Sequence, residues 1–188
     1  MSAQTNKLRS TKEILDAIVA ALKSLTLDQG QPAFERVEIF DLPDYLDAMQ
    51  RLAMNQERTA LVIWTGDEFE TSREVVMLTT RRTANFDVFV SERNLANPVA
   101  ATTGDPEKYL PGVMGLRDLV IPALTGQILA SDADTGKELI YLTPAGVERG
   151  ILTSEDKSKF PARSILILNF TASGEWLQVG VESNEAIE

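Results

Sequence analysis

The spacing of apolar residues in the first third of the chain predicts two amphipathic helices with one strand between them. Residues 10–25 carry aliphatic side chains at helical spacing, and Ser10 precedes Glu13 by three residues as in a capping box, so they predict a helix. Residues 34–40 alternate apolar and charged side chains, which is typical of a half-exposed strand. Residues 45–54 again show an apolar stripe at helical spacing and predict a short helix.

Strand patterns follow in the middle of the chain. Residues 60–64 are nearly all apolar, as expected for a central strand buried on both faces, and Thr65-Gly66-Asp67 is predicted to end it. Residues 73–81 and 86–91 carry two further strand patterns, and the link 82–85 suits a hairpin or a bulge. The simplest interpretation is a long, twisted antiparallel pair.

The second half of the chain predicts a loop, a second main helix and two strands. Residues 94–112 contain several Pro and Gly turn signals, and a loop of this length is expected to make contacts. Residues 116–124 match the helical template, although Pro122 should kink or shorten the helix. Residues 137–142 and 164–170 predict the final pair of strands.

The order of these elements predicts an α+β fold. We expect a mainly antiparallel, mixed sheet with two main helices packed on one face, plus a long loop and a hairpin. Residues 10–181 should form a single domain, between a flexible N-terminus of residues 1–9 and a mobile acidic C-terminus of residues 182–188. Neither G-x-G-x-x-G nor a P-loop pattern occurs, so a nucleotide site is not predicted.

The composition argues against most enzyme mechanisms, because the 188 residues include no histidine and no cysteine. Histidine is the side chain that titrates near neutral pH, and the cysteine thiolate is the strongest nucleophile among the side chains there. Without cysteine the chain also has no disulfide and no thiolate metal site. No catalytic residue and no cofactor are predicted, and the pattern favours a role in assembly.

The charge balance limits the expected partners. The chain has 28 acidic and 18 basic residues, a formal net charge of -10, which disfavours nucleic acid and anionic membranes. No apolar run approaches the roughly 20 residues that span a bilayer, and the first ten residues lack the apolar core of a signal peptide. We therefore expect synthesis in the cytoplasm and no membrane partner.

Two groups of opposite charge stand out beside the predicted central strand. Asp67, Glu68 and Glu70 could act as acid and base on a sugar or bind magnesium, or they form a solvated loop rim. Arg81 and Arg82 follow on the next predicted strand. These arginines either pair internally across strands or meet an acidic patch on another subunit.

A possible metal site has a simpler interpretation as a turn. Four residues resemble a fragment of a calcium loop: Asp132, Asp134, Gly136 and Glu138. The fragment lacks a third early oxygen ligand and a later bidentate glutamate, and strand-forming residues follow it directly. We therefore predict a hairpin turn and no metal.

The large aromatic side chains are expected to have structural roles. Trp64, Phe69 and Trp176 are the most prominent of them. Because such side chains bury large areas in folded proteins, core or sheet-edge positions are predicted for all three. No aromatic cage for a ligand is inferred.

The order of three segments resembles the tail terminator family of long-tailed bacteriophages and prophages, also called tail completion or minor tail proteins. The segments are Thr65-Gly66-Asp67-Glu68-Phe69, Phe86-Asp87-Val88-Phe89-Val90 and Val120-Ile121-Pro122-Ala123-Leu124. The similarity covers roughly residues 10–172 and is closest to Mu-like prophage members. The chain departs from smaller members in residues 94–112 and 145–161, so no interface residues carry over there.

The resemblance implies a virion structural protein at the head-proximal end of the tail. Its subunits would form a hexameric ring that caps the tail tube, stops tube polymerisation and offers a surface to the head–tail connector. The implied partners are further copies of the chain, the tail tube protein and the connector protein. Such a ring needs one surface of each subunit to match a different surface of the next.

The hypothesis for this ring contact is a charge pair between neighbouring subunits. Arg81 or Arg82 of one subunit would meet Asp67, Glu68 or Glu70 of the next. Two alternatives remain: a head–tail adaptor or other tube-associated structural protein, and a hydrolase that uses the three carboxylates.

Overall fold

The computed structural model describes residues 10–40, 45–54, 57–73, 77–93, 98–105, 111–125, 142–150 and 163–179. In chain order the elements are α1 (Thr11–Ser24), β1 (Arg36–Ile39), α2 (Tyr45–Met54), β2 (Thr59–Arg73), β3 (Met77–Arg93), α3 (Pro98–Thr103), α4 (Gly112–Leu124), β4 (Leu142–Arg149) and β5 (Arg163–Val179). Within these residues, no helix is long and apolar enough to cross a membrane.

The five strands form one mixed sheet in the order β1-β2-β3-β5-β4. β1 runs parallel to β2, and the other three neighbouring pairs are antiparallel. The predicted α+β fold with a mainly antiparallel, mixed sheet is therefore confirmed.

The two main helices, α1 and α4, lie on one face of this sheet, as predicted. Because successive strand residues point to opposite faces, Val62, Val88 and Leu168 share the face that these helices cover. Ile18 of α1 and Leu116 of α4 are fully buried against it. Burial of these aliphatic side chains supplies the main driving force for docking the helices.

The shorter helix α2 covers part of the opposite face. Its Leu52 is fully buried in a second apolar cluster that includes Leu61, Phe89 and Ile167 of the strands. Residues 60–63 of β2 are consequently buried whichever face they point to. The interpretation of this run as a central strand covered on both faces is confirmed for these four residues.

The prediction that Thr65-Gly66-Asp67 ends β2 is wrong, because the strand continues to Arg73. The register with β3 shifts between Trp64 and Gly66, which marks a β-bulge. Gly66 has a φ of 131°, a conformation that favours glycine. The glycine therefore bends the strand without ending it.

The predicted break at residues 82–85 is also absent. Residues 77–93 form the single strand β3, which pairs with β5 along its whole length without a register shift. β5 likewise extends past its predicted end at residue 170, to Val179. These extensions contain many polar residues. They can still form strands, because their backbone N–H and C=O groups pair with a neighbouring strand whatever the side chain is.

A short helix interrupts the predicted loop over residues 94–112. The hydroxyl oxygens of Thr102 in this helix, α3, and Ser164 in β5 lie 2.6 Å apart and tie the two elements together. Helix α4 then begins at Gly112, whose φ is 63° and which packs directly against the backbone of Gly104. This close approach leaves no room for a side chain at Gly112.

Several predictions concern parts of the chain outside the described residues. These are both termini, the calcium-loop fragment with Asp132 and Asp134, and residues 137–141 of a predicted strand. The described strand β4 begins at Leu142 and includes residues 145–149, which the sequence placed in an insertion. β4 is an exposed edge strand, and Pro144 and a second bulge lie within it, as is common at sheet edges.

Candidate assembly surface

Three strands extend past the helices and form an arm, which consists of residues 68–73 of β2, 77–83 of β3 and 173–179 of β5. Pairing between these strands is continuous along the arm. At about 3.4 Å per residue, six or seven residues make the arm about 20 Å long. The side chains from 68 to 72 on β2 are all exposed, so this part of the sheet offers a surface on the molecule.

An ion pair between Arg82 and Asp67 lies where the arm leaves the helices. The Nη2 and Nε atoms of Arg82 both lie 2.7 Å from Oδ2 of Asp67 on the neighbouring strand. Only 9% of the arginine side chain and 14% of the aspartate side chain are exposed. A charge-assisted pair of this kind joins β2 to β3 within one chain.

The same pair connects an exposed tryptophan to the start of α1. Trp64 donates its indole N–H to Oδ1 of Asp67 over 2.9 Å, and Arg82 also donates to the hydroxyl of Thr11. The start of α1 is held in turn by the capping box that Ser10 forms with Glu13. Trp64 therefore has a fixed orientation, although 43% of it is exposed.

The remaining predicted charges lie on the opposite face of the arm. Glu70 and Arg81 are register partners on β2 and β3, and Glu175 is the register partner of Arg81 on β5. Opposite charges at paired positions stabilise a sheet modestly. Glu68 accepts a long hydrogen bond of 3.4 Å from Asn85 and has no cationic register partner.

The structure thus separates the five predicted interface residues. Arg82 and Asp67 pair with each other within one chain, as in the internal-pairing alternative, and both side chains are largely buried. Asp67 also points to the face opposite Glu68 and Glu70, because its register partner is the core residue Ala84. Only Glu68 and Glu70 share a face, so the three carboxylates do not form one cluster, and the hydrolase alternative stays a prediction. The intersubunit role of Glu68, Glu70 and Arg81 stays a prediction.

Two exposed aromatic side chains lie near these charges, and the charge pattern of the sequence did not indicate them. Phe69 is 55% exposed on the arm, and Trp64 stands beside the bulge at Gly66. Of the two positions predicted for them, core or sheet edge, the structure favours the edge. The signal in the sequence was Gly66, two residues after the end of an apolar run, since a glycine there can mark a bulge as well as the end of a strand.

The opposite end of the sheet carries a second exposed surface, the base. It is formed by α3, the first turn of α4 and β4, and its exposed side chains include Val99, Met114, Val147, Glu148 and Arg149. In the part of the chain that the structure describes, Arg149 has no ion-pair partner. Val147 and Arg149 point to the same face because they are two residues apart on a strand.

A buried polar group holds α2 on the sheet. Asp87 of β3 is only 4% exposed and accepts hydrogen bonds from the hydroxyl of Tyr45 and from Nδ2 of Asn169, the latter over 2.7 Å. The pKa of Tyr45 is raised above its ordinary value. Burial is the largest cause, followed by the hydrogen bond and the charge of Asp87 and then by the charge of Glu148. The tyrosine therefore remains a neutral donor that anchors α2.

Comparisons with known proteins do not add a family or a site. Neither the scan against protein-family models nor the search of curated proteins finds a match for this chain. Among the described residues, no three Asp or Glu side chains are grouped as a metal site would require.

Proposed function

We propose that this chain is a structural subunit of a phage or prophage tail, a tail terminator that forms a hexameric ring. The ring would cap the tail tube, stop its polymerisation and present its other side to the head–tail connector. Its place would be the head-proximal end of the tail in the virion. The resemblance of the three sequence segments supports this assignment, and the arm is the structural feature that supports it best.

The arm supports the proposal because it combines exposure with rigidity. Interfaces draw most of their binding energy from a few aromatic and arginine side chains with fixed orientations. Trp64, which lies just before the arm on β2, is such a side chain, since its indole N–H is bound to Asp67 of the Arg82 ion pair while much of its ring stays in solvent. An arm projecting about 20 Å beyond the helices is long enough to reach a neighbouring subunit.

The test is to measure the native mass against protein concentration and to image the largest species by electron microscopy. Six copies of 20.7 kDa give a ring of about 124 kDa. In a second step the protein is added to polymerising tail tubes from the same phage. The tubes should acquire a ring at one end and stop growing.

Two outcomes would overturn the proposal. One is a protein that forms no ring in solution and does not bind tube ends. The other is a ring that binds purified portal complexes and not tubes, which would identify a head–tail adaptor instead.

A further inference from the structure

We propose that the arm of one copy binds the base of a second copy, with Glu68 facing Arg149 across the contact. The inference depends on the ring-forming function proposed above and identifies the two surfaces that would make the ring. The occupant of the arm surface is thus another copy of this chain.

The two surfaces complement each other in charge and in apolar character. On β2, Phe69 of the arm and Trp64 just before the arm lie on one face, and the acidic Glu68 lies on the other, all at least partly in solvent. The base offers Val147 and the basic Arg149, together with the exposed apolar side chains of α3 and α4. In the described residues β1 pairs with β2 only as far as Val62, so the β2 side of the arm is a sheet edge that a second copy can contact on both faces. Contacts between apolar groups on one face supply affinity, and the charge pair on the other face selects the partner and the register.

The positions of the two surfaces suit a closed ring. Glu68 is in register with Thr83 on β3, whereas Arg149 is in register through Leu166 with Val90. These rows are seven residues apart, about 24 Å along the strands. Arm and base therefore lie at opposite ends of the strand direction, so contacts from arm to base repeat head to tail, and a rotation that closes yields a ring.

The difference in burial explains why Glu68, and not Asp67, makes this contact. Asp67 already binds Arg82, and a second cation could approach it only by disrupting that buried pair. Glu68 is exposed, and among the residues that the structure describes its carboxylate accepts only the long hydrogen bond from Asn85. On the base, Arg149 is the exposed cation without an ion-pair partner in the described part of the chain.

Charge exchange tests the contact directly. Glu68→Arg and Arg149→Glu should each raise the protein concentration needed for ring formation by about tenfold or more, because like charges then face each other. The double variant should return that concentration to within about threefold of the wild type, since the pair is restored in reverse. Sedimentation velocity over a concentration series at low salt measures all three.

A matched control separates the contact from net charge. Glu57→Arg makes the same change of charge at an exposed residue outside arm and base, and it should leave ring formation unchanged. Rings that tolerate both single variants, or a double variant that assembles no better than either single one, would overturn the inference.

Cysteine crosslinking gives a second, independent readout, because the natural chain contains no cysteine. A chain with both Glu68→Cys and Arg149→Cys cannot form an internal disulfide, since about 24 Å separates the sites along the strands and a disulfide needs Cα atoms within about 7 Å. Oxidation should yield a ladder of crosslinked species that ends at six copies. The pair Glu57→Cys with Arg149→Cys should yield no ladder.

The two proposals can fail separately. If crosslinked rings form but neither bind tubes nor stop their growth, the arm-to-base contact stands and the tail terminator function fails. If rings cap tubes while the Glu68 and Arg149 variants behave as wild type, the function stands and this contact is wrong. A wild-type chain that stays monomeric at every concentration, alone and on tubes, overturns both.

Discussion

Arg82 donates two of its N–H groups to Asp67 across neighbouring strands, and both side chains are almost completely removed from solvent. This pair forms part of a connection from the start of α1 to the exposed ring of Trp64. Arg82 and Asp67, which the sequence suggested as charges of an intersubunit contact, are therefore part of the internal framework at the start of the arm. Substitution of Arg82 or Asp67 should therefore lower the stability of the folded subunit, and any loss of assembly should follow from that.

Asp67→Asn should lower the free energy of unfolding by about 2–4 kcal/mol, because it removes the negative charge that Asp67 places beside the buried guanidinium of Arg82. The amide retains an oxygen that can accept from Trp64, so the loss reports mainly on the ion pair. Asp118→Asn is the control, since Asp118 pairs with Arg117 in solvent, and it should cost about 0.5 kcal/mol or less. Denaturant titration measures both, and equal losses would contradict the role of burial.

Gly112→Ala should destabilise the domain by about 3 kcal/mol or more, because clash and backbone strain add. An added Cβ would lie 2.3 Å from the backbone nitrogen of Gly104. Gly30→Ala is the matched comparison: Gly30 also has a positive φ, 76°, but a Cβ added there would have nothing within 4 Å. That variant should cost about 1–2 kcal/mol from strain alone. A similar thermal shift for both variants would show that the close packing of α3 and α4 is unimportant.

Tyr45→Phe should loosen α2 selectively. The change removes the hydroxyl that donates to buried Asp87 and should cost about 1–3 kcal/mol. Hydrogen exchange of the α2 amides should accelerate more than that of the central strands, because Asn169 still binds Asp87. Uniform acceleration over the whole sheet would instead indicate a general loss of stability.

The raised pKa of Tyr45 predicts a pH dependence at the alkaline end. The unfolded chain loses the tyrosine proton near pH 10, whereas the folded chain holds it to higher pH. The stabilisation is therefore fully present below pH 10 and is lost as the pH rises through the pKa of the folded state. Ultraviolet titration of the three tyrosines should show one late group that is absent in Tyr45→Phe.

Ser10→Ala should cost about 1 kcal/mol, the usual value for loss of an N-cap. Ser10 accepts from the backbone N–H of Glu13 over 3.2 Å, and Glu13 reaches back to the backbone N–H of Ser10 over 2.8 Å. Because α1 begins beside Arg82, the variant should also increase the mobility of Trp64, measured by fluorescence anisotropy with Trp176 replaced by Phe so that Trp64 is the only tryptophan. An unchanged anisotropy would show that α1 does not help to hold the tryptophan.

Local sequence patterns were sufficient to predict an element where all its signals lie in or next to the segment itself. The helix over residues 45–54 was predicted with the same limits that the structure shows, because its apolar stripe and flanking turn signals lie within the segment. The capping box at Ser10 and the burial of residues 60–63 could be predicted for the same reason. The mixed sheet with two helices on one face also follows from the order of such elements.

Tertiary structure alone decided how long the strands are and which charged side chains pair with each other. Gly66 could end a strand or bend it, and pairing with β3 selected the bend. Arg82 lies 15 residues from Asp67 in the chain, and only the register of β2 with β3 brings the two together. A local pattern specifies how a segment can fold, but the partner of a charge depends on contacts between distant segments, which no single segment encodes.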